Sequence, residues 1–190
     1  MDMQTEKERA LSTDFFARDV VTVARALIGT TLLVDGVGGM IVETEAYHAS
    51  DPASHSFRGP TRRNASMFGP PGHAYVYRSY GIHWCLNFVC EAVSGVLIRA
   101  LEPRSGFGCM ADRRGVADLH RLCAGPGRLC QALGIDRTLD GHPLDGPPFE
   151  LLPAEAVVAI TAGPRIGITR AVETPWRFCL AGSRFLSRPE

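Results

Sequence analysis

The run His73-Ala-Tyr-Val-Tyr-Arg-Ser-Tyr-Gly-Ile-His-Trp-Cys-Leu-Asn-Phe-Val-Cys90 decides the fold. Two stretches rich in β-branched, aromatic and apolar residues, 73–78 and 82–90, flank Tyr80-Gly81, the pattern of a β-hairpin. Downstream, Val96–Pro103 reads as a further strand. Upstream, Thr31–Asp35 and Met40–Tyr47 flank Gly36-Val37-Gly38-Gly39 and read as another hairpin. Apolar residues at Val20, Val23, Ala24 and Leu27 have helical spacing, so a helix is predicted from Asp19 to Ile28, stopped by Gly29. A short helical turn is expected around Asn64–Phe68. Leu119–Gly134 reads as helix interrupted by Gly125-Pro126-Gly127. Short strands are expected near Phe149–Leu152, Val157–Thr161, Arg165–Thr169 and Arg177–Leu180. The sum is a single α+β domain, a curved and mostly antiparallel sheet with flanking helices and a protruding hairpin. Residues 1–10 are expected as a polar N-terminal tail, and 11–190 as the one domain.

The chain has 190 residues, 45% hydrophobic and 21% charged, enough to bury a core. Twenty basic and twenty acidic side chains cancel. Taken alone, neutrality argues against a nucleic-acid partner. The charges are segregated, however: residues 1–57 are net −5, residues 58–114 net +5, and the rest neutral. All but one of the basic residues are arginines, the exception being Lys7. Arginine suits bidentate phosphate contacts and stacking. No apolar run approaches the ~20 residues that span a bilayer, so a cytoplasmic protein is expected, nucleoid-associated in a prokaryote. The six cysteines lack zinc spacing and sit among apolar neighbours, so buried reduced thiols are expected, with no metal and no cofactor.

Strand alternation along Ile41-Val-Glu-Thr-Glu-Ala-Tyr47 puts Glu43, Glu45 and Tyr47 on one face. That face is either a solvated surface or a site with two carboxylates. Arg99, inside the apolar run Val96–Leu101, is costly to bury unless a carboxylate or phosphate meets it. Glu45 is a candidate partner, and the pair is either a site or a structural ion pair. Tyr80 at a hairpin tip has no core to fill, so it either folds back or meets a partner such as a base stack.

These runs resemble the alkyladenine, or methylpurine, DNA glycosylase family. The resemblance rests on 41–47, Ala53-Ser-His-Ser56, Arg63-Asn64, Met67-Phe68, Pro71-Gly72 and Tyr75-Val-Tyr-x-x-Tyr-Gly81. It continues through Asn87, Arg99-Ala-Leu-Glu-Pro103, Gly125-Pro-x-x-Leu-Cys-Gln-Ala-Leu133 and Pro164-Arg-Ile-Gly167, in order along nearly the whole chain. It implies a monomeric base-excision repair enzyme that flips alkylated or deaminated purines (3-methyladenine, 7-methylguanine, hypoxanthine) out of double-stranded DNA. The enzyme then hydrolyses the N-glycosidic bond and leaves an abasic site. The resemblance implies Glu45 as the base that activates water, with Arg99 and the Ile166 carbonyl holding that water. Tyr47, His55 and Tyr77 would line the base pocket, Asn87 would crowd the amino group of normal guanine, and Tyr80 would intercalate. Arg63 and Arg78 would lie along the DNA backbone.

Three expectations come with it. Tyr77 and Asn87 share a pocket only if paired residue numbers in the hairpin sum to an even value, as with a three-residue loop Ser79-Tyr80-Gly81 and Gly81 left-handed. With one lysine, Lys7 in the polar tail, no Schiff-base chemistry is expected, hence a monofunctional enzyme. Affinity for undamaged DNA should be weak and salt-sensitive. Two other functions compete: a non-catalytic nucleic-acid-binding module of the same fold, and a hydrolase of free nucleosides or small glycosides. The role of Glu43 beside Glu45 is open from sequence alone.

Overall fold

The computed structural model describes residues 10–189. Of the tail expected over 1–10, all but Ala10 lies outside the described residues, and so does Lys7. Two helices come first, α1 (Thr13–Phe16) and α2 (Val20–Ala26). The Asp19 carboxylate caps α2 by accepting the Thr22 amide at 3.0 Å, satisfying one of its orphan N–H groups. Strands β1 (Thr31–Val34) and β2 (Val37–Tyr47) follow. Their turn is tighter than the sequence suggests. Only Asp35 and Gly36 lie outside the strands, at φ 49° and 75°, the two-residue left-handed turn that matches strand twist. Gly38 and Gly39 belong to β2, and they are glycines because of close approach. A Cβ on Gly38 would sit 2.0 Å from the Leu32 carbonyl oxygen, and one on Gly39 2.0 Å from that of Glu102.

A 3₁₀ turn at Ala65–Phe68 leads into β3 (Ala74–Ser79) and β4 (His83–Cys90), then β5 (Ser94–Ser105). Helices α3 (Phe107–Arg114), α4 (Leu119–Leu122) and α5 (Pro126–Leu133) come next, then β6 (Phe149–Leu152), β7 (Ile160–Gly163) and β8 (Arg177–Leu180). α3 has no counterpart among the elements expected from sequence; it buries only Met110 and therefore carries little periodicity. The strand expected at Arg165–Thr169 is absent. Pro164 follows β7 directly, Gly167 takes φ 76°, and this stretch crosses the site as irregular chain. Val157, expected in a strand, is fully exposed before β7 begins.

The sheet order is β3-β4-β5-β2-β1-β6, with β8 pairing both β2 and β7, and every pairing is antiparallel. β2 is the hinge of this arrangement. It pairs β5 along one edge, while the other edge serves β1 in its first half and β8 in its second. Register shifts against β5 around Glu43 curl the sheet. Phe16, Leu27, Ile41, Leu86, Phe88, Ile98 and Leu129 fill the core between sheet and helices. Five of the six cysteines are buried. Cys109 is exposed, against expectation, because it lies on the solvent side of α3. Among the described residues no helix is long and apolar enough to cross a membrane, and no three His, Cys, Asp or Glu side chains form a metal-binding group.

Candidate active site

The face of β2 that carries Glu43 and Glu45 is buried. Both carboxylates are 0% exposed, so the solvated-surface reading of this strand fails. Burying two negative charges requires compensation, and two arginines supply it. Arg99 of β5 donates from Nε to Glu43 Oε1 at 3.0 Å and from Nη1 to Glu45 Oε2 at 3.2 Å. Arg177 of β8 donates from Nε to Glu43 Oε1 at 2.8 Å. The sequence named Glu45 as partner of Arg99; the structure gives it both carboxylates.

The two glutamates differ in what remains free. Glu43 Oε1 accepts from Arg99, Arg177 and the Ser187 hydroxyl, and its Oε2 accepts the Ser187 amide at 2.6 Å. Burial alone would raise its pKa. Arg99, the Ser187 amide and hydroxyl, and Arg177 outweigh that and hold the carboxyl below its ordinary value. Glu45 Oε2 accepts from Arg99 and from the Tyr47 hydroxyl at 2.8 Å, while among the described residues Oε1 accepts only the Ile166 amide at 2.7 Å. A carboxylate oxygen offers about two acceptor positions, so Oε1 of Glu45 keeps one open.

Glu45 sits behind Tyr47, Arg99 and Ile166, all of which line a cleft of about 1320 Å³. Arg177 and Ser187, the other partners of Glu43, do not line it. One wall is aromatic. Tyr75 and Tyr77 stack with centroids 5.4 Å apart, and His55 meets Tyr77 edge-on at 4.5 Å. His55 Nδ1 also hydrogen-bonds the Tyr75 hydroxyl at 2.9 Å. The packed side of this imidazole is desolvated, which lowers its pKa and leaves the ring neutral at pH 7. Burial raises the pKa values of Tyr47, Tyr75 and Tyr77, so all three stay neutral phenols.

The hairpin register joins Asn87 to this wall. Tyr75 pairs with Asn87 and Tyr77 with Cys85, an even sum, as expected. The three-residue loop is displaced by one position: Ser79 pairs with His83, and the loop is Tyr80-Gly81-Ile82. The cause is that Tyr80 as well as Gly81 takes positive φ, 50° and 69°, closed by the Ile82 amide on the Ser79 carbonyl at 3.0 Å. The Asn87 amide is fixed by donation to the Tyr75 carbonyl at 3.1 Å. Tyr80 is 87% exposed at the lip of the cleft, so it does not fold back on its hairpin.

Arg58, Arg63, Arg78, Arg137 and Arg170 also border the cleft, and among the described residues no carboxylate side chain does. The positive centre of the sequence thus reaches one mouth. A sequence model of the methylpurine-DNA glycosylase family matches residues 14–184. The chain belongs to the methylpurine-DNA glycosylase family. As a member it is a base-excision repair enzyme that acts on DNA and hydrolyses an N-glycosyl bond. It is similar to bacterial proteins whose names carry the words 3-methyladenine DNA glycosylase. That of Nitrosospira multiformis is 63% identical, covering 92% of this chain and 92% of the relative. That of Granulibacter bethesdensis is 65% identical, covering 91% and 85%, and that of Rhizobium etli 61%, covering 92% and 87%.

Several groups of this glycosylase site carried no readable signal. Arg165 is buried and ion-paired with Asp51, donates to the Ala46 carbonyl at 2.9 Å, and lies 4.7 Å from the Tyr47 ring centroid. Sequence shows Arg165 only as part of Pro-Arg-Ile-Gly, 114 positions from its partner. Arg177, Ser187, Arg137 and Arg170 were likewise unmarked. Ile166 meets Glu45 through its backbone amide.

Proposed function

We propose that this glycosylase is a monomer that flips alkylated or deaminated purines out of duplex DNA, the class of 3-methyladenine, 7-methylguanine and hypoxanthine. It is monofunctional and leaves an abasic site. The reading is carried by one arrangement. A carboxylate with an open acceptor position lies under a neutral aromatic cleft whose lip bears an exposed tyrosine and several arginines.

The chemistry follows from that arrangement. Extrusion of a base costs a few kcal/mol, and Tyr80 offsets part of it by filling the gap in the stack. An alkylated purine is cationic and stacks well on Tyr47 and Tyr77. Neutral His55 accepts such a base without charge repulsion. Asn87, fixed by the Tyr75 carbonyl, crowds the amino group of normal guanine. As the glycosidic bond breaks, the sugar gains positive charge, which the buried carboxylate of Glu45 favours. Water on the open side of Glu45 Oε1 is oriented and deprotonated there, with Arg99 and the Ile166 backbone beside it. A cationic base leaves without an acid, whereas hypoxanthine needs a proton. Arg63 and Arg78 meet the phosphates, and the arginines at the mouth set a salt-dependent affinity.

The deciding experiment compares release of 7-methylguanine from a duplex with release from the free nucleoside. Release from the duplex alone is expected. Equal release from both would favour a nucleoside hydrolase, and lesion binding without release a binding module. Borohydride added during turnover should trap no covalent complex, since the single lysine is Lys7; a trapped adduct would overturn monofunctional action. Tyr80→Ala is expected to weaken binding to a lesion duplex by about tenfold, the loss of roughly one stacking contact. Release from single-stranded DNA should be unaffected. An equal fall on both strands would remove Tyr80 from the wedge role.

A further inference from the structure

We propose that Ser187 is a positioning residue for base excision. Held against Glu43, it keeps the Arg99 guanidinium turned so that Nη1 faces Glu45. The proposal rests on Glu45 as the water-activating base. Ser187 lies 88 positions from Arg99 and beyond residues 14–184, the stretch matched by the family.

The argument starts from the three nitrogens of Arg99, each with its own partner. Nε meets Glu43 at 3.0 Å, Nη1 meets Glu45 at 3.2 Å, and Nη2 donates to the Ser187 hydroxyl oxygen at 3.2 Å. That hydroxyl donates onward to Glu43 Oε1 at 2.8 Å, and the Ser187 amide takes Glu43 Oε2 at 2.6 Å. Ser187 therefore stands between Nη2 and Glu43. Arginine and carboxylate otherwise favour a two-point fork with parallel N–H···O bonds. Without the hydroxyl, the Nε and Nη2 edge is free to close on both oxygens of Glu43. That rotation draws Nη1 away from Glu45, whose bond to Arg99 is the longer of its two carboxylate contacts.

The segment is anchored well enough to act this way. Phe185 and Leu186 pack on Met40, Val42 and Ala100, and the Arg188 carbonyl accepts from Arg177 Nη2 at 2.7 Å. Arg99 is only 6% exposed, so water is a poor substitute for a lost partner. The groups around Glu45 are Arg99 on β5, Tyr47 and Glu43 on β2, Cys85 on β4, Arg177 opposite it on β8, and Arg165 behind Tyr47. Among these Arg99 is the cation in contact with Glu45. Turning it away leaves Glu45 without the guanidinium that orients Oε2, so excision slows.

The test uses Ser187→Ala, Ser187→Cys and Ser187→Thr with a 7-methylguanine duplex. Single-turnover rate and lesion-duplex affinity are read for each. Ser187→Ala and Ser187→Cys are expected to lose about tenfold in rate, with affinity within about twofold of the parent. Ser187→Thr keeps the hydroxyl and should restore the rate. Parental rate in Ser187→Ala and Ser187→Cys would overturn the proposal, as would a Thr variant as slow as Ala, or loss of folding in both Ala and Cys variants. Glu45→Gln in the same assay separates the two readings. If it still excises, the assignment of Glu45 fails, whatever Ser187 does.

Discussion

Glu45→Gln is expected to slow excision from a lesion duplex by about 10³-fold, the scale of a lost general base. Binding to that duplex should stay within about twofold, since the aromatic wall of the cleft and Tyr80 are untouched. Glutamine has the shape of glutamate, and its one carbonyl oxygen can still take a donor from the set of Arg99, Tyr47 and Ile166. It cannot accept a proton from water or offset charge on the sugar. Glu43→Gln is the comparator. Its carboxylate meets two guanidiniums and Ser187, with no cleft-lining group except Arg99. That variant should lose stability first and retain excision at temperatures where it is folded. Single-turnover kinetics beside thermal melts distinguish the pair. Abolished excision in Glu43→Gln with retained excision in Glu45→Gln would reverse the assignment.

Arg99→Met is expected to destabilise the fold by about 3–5 kcal/mol, the cost of removing one partner from a buried ion pair. Excision should be lost with it. Arg99 is the sole cation bridging Glu43 and Glu45 among the described residues, and its side chain is 8% exposed. The pH dependence gives the loss a signature. In the parent, Glu43 has a depressed pKa, so its contribution is present above the ordinary carboxylate value and fades as pH falls through its folded value. In Arg99→Met the largest of the influences that hold the Glu43 carboxyl low is gone, so protonation relieves the cost as pH falls. The stability gap between the two proteins should therefore be widest at neutral pH and shrink on acidification. Denaturant titrations from pH 8 to pH 5 measure it. A gap constant across that range would mean that packing, not charge, accounts for the effect.

Much of this site could be read along the chain because its signals are local. Alternation on 41–47 put Glu43, Glu45 and Tyr47 together, and the even register of the hairpin put Tyr77 and Asn87 on one face. The Asp19 cap and Gly29 bounded α2 to within two residues. Other features were hidden because their causes are not local. The first hairpin turned at Asp35-Gly36 because Gly38 and Gly39 were needed inside the strand, against carbonyls of β1 and β5. Arg165–Thr169 had the composition of a strand but is irregular, with the Ile166 amide turned to Glu45 and Arg165 to Asp51. The helix at Phe107–Arg114 had too small a buried face to leave a period.

By itself the sequence determined the antiparallel α+β plan, the strand bearing the carboxylates, the tyrosine at the hairpin tip and the positive central segment. Each depends on residue type at a spacing of two to four positions, which strands, turns and helices fix directly. Only the tertiary structure decided which glutamate is committed and which is open. That choice depends on Arg99, Arg177, Ile166 and Ser187, brought from four separate parts of the chain to two carboxylates on one strand. A buried charge takes its properties from whichever donors surround it in space, and chain spacing does not encode that set.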